Sequence, residues 1–577
     1  MGSRGIQRHL RALTIALLGG TGFPLLAPRS TSTARRRAPS GPPTPRPPPL
    51  EFRRFSVTLS EDGGLEELVD VVRQEIGLPI ESLEVAAFLE SIGVSSEMAK
   101  RRYRADSVFA LAKAVLSQLR KRAAPDAPSP RIAPPASSLL SDWVEVARGP
   151  LSVLTVVVLF LALAAYRRFG EWGDGNILAM SMGMTGSMVL ANAFIQGAAR
   201  RGAIYVSRGN PRAALAFLLR VLMPASACVV VTTAVCSVLA ARFGLLTADG
   251  VLVFSSSFIV LAGLWFLSGV LSVFQLQAWF GMAIVSGLAS GVLADRLVVR
   301  FSPHHLAAGT AVGMLVALAI IIHPIRRTVA RQAGDSPLRA QLPTIPYLLH
   351  EATPYFAYGV LYVSLLLLPH LLGWVGRLHG MPRLQAISTL EVALTLTLAP
   401  VLASEGIAEH AARRLWTHAR AAQVATPVGS RYVFGRSLIG FWRLHFGVYV
   451  AVLIVLSVLA DVFFALRGEQ LGRLLQLSTP ELVAPLAEAS LLAYLLLGAG
   501  LFNCVFCVTL ARPQVAVRST LLGLLVTLAI GAPLSVLGDF TWCLVGFVAG
   551  AGAFALVSSW ETLRTLESGD YYYVASF

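Results

Sequence analysis

Charge is scarce in this chain, and lysine nearly absent. Only 14% of its 577 residues are charged, and Lys100, Lys113 and Lys121 are its sole lysines. A soluble domain carries about 25% charged residues. Here 55% of the residues are hydrophobic and the mean hydropathy is +0.66, more apolar surface than one aqueous core can bury, so a bilayer must take up the rest. The lack of lysine beside plentiful arginine reads as base-composition bias and carries no functional weight.

Cysteine is also missing from every polar connection. Cys228, Cys236, Cys504, Cys507 and Cys543 all fall inside apolar stretches, which excludes a disulfide framework. Cys504 and Cys507 have CxxC spacing, but with no second pair and no neighbouring histidine they read as two small packing residues. His323, His370 and His445 are scattered and lack metal-ligand spacing, so no metal or cofactor is expected. There is no HExxH, no P-loop, no DxD and no long external loop of the kind sugar-polymerising membrane enzymes use. The chain therefore reads as no enzyme, and any energy it uses comes from a gradient or a partner.

A net charge of +16 would suit a nucleic-acid binder, yet its distribution argues against one. The arginines gather in the first fifty residues and in short connections between apolar stretches, where membrane proteins use them to set orientation. Twelve candidate spans follow, near residues 150–166, 177–197, 217–240, 251–274, 277–295, 305–323, 354–374, 386–408, 439–464, 481–509, 516–537 and 540–560. Each is about the length that roughly 30 Å of hydrocarbon requires. Arg200, Arg201, Arg208 and Arg212 follow span 2; Arg326, Arg327, Arg331 and Arg339 follow span 6; Arg413, Arg414, Arg420, Arg431 and Arg436 follow span 8. That alternation puts both termini in the cytoplasm of a multi-pass plasma (inner) membrane protein.

Ahead of the spans, residues 1–50 hold eight arginines and no acid. A cleaved signal, a transit peptide and a basic tail begun at an early start codon compete for them. Gly19, Gly20, Gly22 and Pro24 break the one apolar run, which favours a disordered tail. Residues 51–125 change to mixed charge with helical spacing. Leu65, Leu68, Val69, Val72 and Ile76 form one stripe, a second helix covers Glu81 to Ile92, and a third begins at an Asp106 cap. This is a small cytoplasmic all-α module, suited to recruiting cytosolic or envelope-biosynthesis proteins. A linker over 126–148 leads to a first bundle at 149–325, a connection at 326–352, a second bundle at 353–562 and a cytoplasmic tail at 563–577.

The two halves echo each other. Span 2 ends with Leu190-Ala191, Ile195 and Ala198-Ala199-Arg200-Arg201; span 8 ends with Leu402-Ala403, Ile407 and Ala411-Ala412-Arg413-Arg414. Phe217 precedes Arg220 in span 3 as Phe441 precedes Arg443 in span 9. Both halves run in from the same side, so the repeat is parallel. Thr353-Pro354-Tyr355-Phe356-Ala357-Tyr358-Gly359-Val360-Leu361-Tyr362 opens the second half. With Gly500 to Arg512, Arg518-Ser519-Thr520-Leu521-Leu522 and the small-residue stretch Gly546 to Ala553, it makes residues 145–565 resemble the multidrug/oligosaccharidyl-lipid/polysaccharide flippase superfamily. The likeness is nearest to the membrane subunit of Pel-type exopolysaccharide export. The resemblance implies two parallel six-helix bundles and transport of a polysaccharide or lipid-linked glycan.

Charged side chains within spans cost several kcal/mol, so those retained usually face a cavity or a partner. Arg220 and Arg443, one per half, are expected either to bind an anionic cargo group across a central cleft or to snorkel to the interface. Asn192, Gln196 and Asn503 are polar enough to line such a cleft. Glu391 and Glu488 are candidates for taking up a coupling ion. Glu405, Glu409 and Arg413 form an i, i+4 ladder read as structural. The leading expectation is a flippase-like exporter working by alternating access. A drug or small-solute exporter is the alternative, and a membrane-embedded enzyme or scaffold of envelope synthesis is the second.

Overall fold

A backbone N–H or C=O has no water to bond in hydrocarbon, so a spanning segment must close its hydrogen bonds within itself. The computed structural model describes residues 64–75, 82–122, 174–207, 211–244, 246–274, 276–298, 305–332, 345–376, 383–426, 431–475, 477 and 479–569. Among these it is all helix and turn. The expected span at 150–166, the tail before residue 51 and the linker over 126–148 lie outside the described residues.

The module comprises α1 (Leu65–Glu75), α2 (Ser82–Ser91), α3 (Ser96–Tyr103) and α4 (Val108–Arg122). Leu68, Val69 and Val72 of α1 pack against Phe88 and Leu89 of α2 and Leu111, Val115 and Leu116 of α4. Two expectations change. Helix α3 was absent from the sequence reading, because Ala99 is its one buried residue and it has no apolar stripe to detect. It is set by local chemistry instead: the Ser95 side chain accepts the Met98 N–H at its start. The cap on α4 is Ser107, whose Oγ accepts the Ala110 N–H, one residue after the expected Asp106.

The first bundle holds α5 (Asp174–Ser207), α6 (Pro211–Arg242), α7 (Ala248–Val273), α8 (Gln277–Val298) and α9 (His305–Gln332). The second holds α10 (Ile345–Val375), α11 (Arg383–Thr397), α12 (Ala399–Ala425), α13 (Arg431–Leu474), α14 (Val483–Thr509), α15 (Pro513–Leu537) and α16 (Cys543–Glu567). These helices cover eleven of the twelve expected spans. Two depart from their expected form. Span 8 is divided at Leu398 because Pro400 lacks an N–H to continue the ladder. Helix α13 has 44 residues, about 66 Å at 1.5 Å per residue, so it outruns the bilayer.

Each bundle has its own core. Phe217, Leu218, Val270, Leu271 and Ile321 fill part of the first; Trp442, Tyr449, Tyr494, Phe502, Phe506 and Phe554 fill the second. The last helix pair of each half is joined alike. A Cβ on Gly287 of α8 would lie 2.7 Å from the Gly313 carbonyl of α9. In the other half, Gly531 of α15 faces Gly546 of α16 at similarly close range. Without a hydrophobic drive between lipid-bathed helices, small residues that let backbones touch are what hold them together. Gly287→Leu should therefore force α8 and α9 apart, at a cost of about 1–3 kcal/mol, read as a lower thermal midpoint in detergent with helicity retained at low temperature.

Candidate functional site

The two bundles meet where α5 crosses α10. Gly359 of α10 makes this possible, since a Cβ there would lie 2.6 Å from the Asn192 carbonyl of α5. One turn on, the Tyr362 hydroxyl donates to Asn192 Oδ1 at 3.2 Å, while Asn192 Nδ2 donates to the Met188 carbonyl of its own helix at 3.0 Å. Phe194 meets Phe356 edge to face with ring centres 5.1 Å apart. Gln196, half-buried, lies one turn from Asn192 on the same face of α5. Among the described residues the crossing includes close glycine contact, an aromatic pair and a side-chain hydrogen bond.

Beside it stands Glu405 of α12. Its carboxyl group lies near Tyr362 of α10 and Tyr449 of α13. It is exposed to water-sized molecules, and among the described residues it makes no hydrogen bond or ion pair. Glu409, one turn further, is instead paired with Arg413 at 3.0 Å. The ladder read as structural therefore splits: Arg413 neutralises Glu409 and leaves Glu405 without a cation.

The other singled-out residues lie elsewhere. Asn503 is fully buried inside the second bundle, where its Oδ1 accepts from Trp442 Nε1 at 3.1 Å and its Nδ2 donates to Ser559 Oγ at 2.9 Å. Glu391 of α11 is held within the second bundle by two side chains of α10. His370 Nδ1 is 2.7 Å from its Oε2, and Trp374 Nε1 donates to Oε1 at 2.7 Å. Glu488 is exposed on α14 beside exposed Leu492. Arg220 projects from α6 near exposed Leu219 and Met223, and Arg443 from α13 near exposed Leu444 and Val448. Helix α6 packs on α5 and α7, whereas α13 packs on α12, α14 and α16. The structure places the two arginines on α6 and α13, and it brings Asn192 beside Tyr362.

Sequence reasoning passed over Glu405 and Tyr362 as site residues. Tyr362 was visible within the aromatic stretch opening the second half. Glu405 was signalled by arithmetic: two carboxylates and one arginine at i, i+4 and i+8 leave one acid unmatched. No metal-binding group of histidine, cysteine and acid occurs among the described residues. Cys507 does not pair with Cys504; its sulfur lies 3.3 Å from the Thr562 hydroxyl, as suits a packing residue.

An all-helical membrane fold of about twelve spans in two bundles, eleven of them among the described residues, is the class to which this architecture belongs. No protein-family profile matches the sequence, and no curated protein matches it. Solved structures of that fold do. The chain is similar to a MATE protein in its straight conformation at 12% identity, covering 75% of this chain and 96% of that one with a TM-score of 0.55. An outward-facing multidrug resistance MATE family transporter of the MOP superfamily matches at 13% identity over 74% and 96%, TM-score 0.53. The MATE transporter ClbM in complex with rubidium ion matches at 13% identity over 74% and 96%, TM-score 0.51.

Since Asn503 satisfies Trp442 in a region without water, Asn503→Leu should leave that indole N–H unpaired and cost about 1–3 kcal/mol. The variant should show a lowered thermal midpoint, while Asn192→Leu, at the seam, should alter stability less.

Proposed function

We propose that the chain is an exporter of the MOP type, moving its cargo by alternating access between the two bundles, with a polysaccharide or lipid-linked oligosaccharide as cargo. The observation that carries this reading is the seam. Two separately cored bundles meet through a glycine crossing and the Tyr362–Asn192 bond, with an accessible, unpaired carboxylate alongside. In this reading α5 and α10 rock against each other about the glycine crossing. Asn192, Gln196, Tyr362 and Glu405 supply donors and acceptors for sugar hydroxyls. With the N-terminus cytoplasmic, as the arginine distribution predicts, Glu405 opens toward the side from which an exporter loads.

A second reading is favoured by the fold comparison itself, because one similar structure is a multidrug resistance transporter. A small-solute exporter uses the same architecture, and the two differ in what enters the seam. Inside-out vesicles carrying the purified chain, cytoplasmic face outward, would be offered a fluorescent lipid-linked oligosaccharide and, separately, a fluorescent organic cation. Flipping of the glycan without transport of the cation is expected. The reverse result establishes the small-solute reading, and movement of neither ends both. Glu405→Gln should slow transport of the accepted cargo at least about tenfold, equivalent to roughly 1.4 kcal/mol of lost transition-state stabilisation, with unchanged folded protein in the membrane.

Coupling is assigned to Glu391 rather than to Glu488. Glu391 is enclosed by His370 and Trp374, so gaining or losing a proton or cation there changes contacts between α10 and α11. Glu488 stands on an exposed face and has no second element to move. Glu391→Gln is expected to abolish stimulation by an imposed ion gradient while leaving transport down the cargo's own gradient; stimulation equal to that of the unaltered protein removes the assignment.

A further inference from the structure

Charge in the helical module is sorted along the chain. From Gly64 to Glu97 the one basic residue is Arg73, whereas from Met98 to Arg122 the one acid is Asp106. Folding cancels part of this separation. Arg122, at the end of α4, is 2.8 Å from Asp70 and 3.3 Å from Glu66 on α1, so the acidic helix neutralises that end of α4.

The other end has no such cover. Helix α3 is buried only at Ala99, and Lys100 and Arg101 are exposed on it; Arg104 is exposed in the connection that follows. Arg101 pairs with Glu97 on the surface, where an ion pair is worth little. Along α4, Phe109, Lys113, Ser117 and Lys121 recur at four-residue spacing and all are exposed. Phe109 leaves 52% of its surface open, and Met98 on α3 leaves 37%. A buried stripe of Leu111, Val115 and Leu119 takes the opposite side of α4. The outward side thus offers an aromatic ring framed by cations, the composition that enters the interface of a bilayer with its ring at headgroup depth.

From this we infer that the α3–α4 face docks on an anionic lipid surface, with Phe109 inserted among headgroups and Lys100, Arg104 and Lys113 set against lipid phosphates. The occupant follows from complementarity and reach. The exposed cations require an anionic partner, and the exposed ring and thioether require one with an apolar layer beneath its charge. The chain itself enters a bilayer near residue 150 by its sequence, so a connection of about 27 residues, at most about 90 Å extended, keeps the face beside that bilayer. Each cation near such a surface contributes about fivefold to binding.

The test uses the full chain in nanodiscs, one set of phosphatidylcholine alone and one with a third phosphatidylglycerol, followed by hydrogen–deuterium exchange. Amides over residues 96–117 should exchange at least about fivefold more slowly in the anionic discs, and about 1 M salt should remove the difference because it shortens the Debye length to about 3 Å. Arg104→Glu with Lys113→Glu should abolish lipid-dependent protection, Phe109→Ser should weaken it, and Lys113→Arg should preserve it. Amides of buried Leu111 and Val115 in high-salt controls report that each variant is folded. Equal protection in both lipids, which would mark docking on protein, overturns the inference, as does no protection in either. Should the charge-reversed variant unfold, the unaltered protein's response to lipid and salt still decides.

Discussion

Everything in the membrane part depends on the refusal of hydrocarbon to hydrogen-bond. It makes each span a helix, and it removes the hydrophobic drive that would pull two helices together in water. Contact must then come from backbones that approach closely, which is why Gly287 meets Gly313 in one half and Gly531 meets Gly546 in the other. The same constraint explains the composition of α5. It carries Ser181, Gly183, Thr185, Gly186, Ser187, Asn192 and Gln196, fewer apolar side chains than lipid exposure would favour, because its neighbours are α7, α6 and, across the seam, α10.

Polar groups divide into two populations that obey different rules. Inside the second bundle they are bonded to one another: Asn503 to Trp442 and Ser559, Glu391 to His370 and Trp374, and Thr389 to Thr479 at 2.8 Å. Such bonds span different helices and are costly to break where no water can replace them, so they make the bundle one body. Where α5 crosses α10 the Tyr362 hydroxyl is bonded to Asn192, and among the described residues Glu405 has no hydrogen-bond partner.

The architecture was legible because it is written in length and charge: runs near 20 residues punctuated by arginine located the spans that the structure describes. Where a residue faces was less legible. Asn192 and Asn503 look alike in sequence, each an asparagine in a small-residue helix, yet one lies at the seam and the other joins three helices inside a bundle. Nothing local separates them, because the difference resides in helices distant along the chain. Arg220 and Arg443 match as a repeat, and each is exposed on its own helix. Helix α3 escaped notice for another reason: hydrophobic periodicity detects helices by what they bury, and α3 buries only Ala99.

Glu405 gathers these arguments into one. A carboxylate within a span, even one turn from its end as Glu405 is, must be paired, neutralised or wetted, since an isolated charge in hydrocarbon costs several kcal/mol. Pairing is excluded among the described residues, because Arg413 is engaged with Glu409 one turn nearer the arginine-rich end of α12. Lipid exposure is disfavoured by its surroundings: Tyr362 lies close by, and that tyrosine is bonded to the other bundle. Its exposure is therefore exposure to a crevice between helices, and water or cargo must reach it there. Glu409 and Arg413 continue from Glu405 along the same side of α12 at one-turn intervals, forming a polar path toward the arginine-rich end.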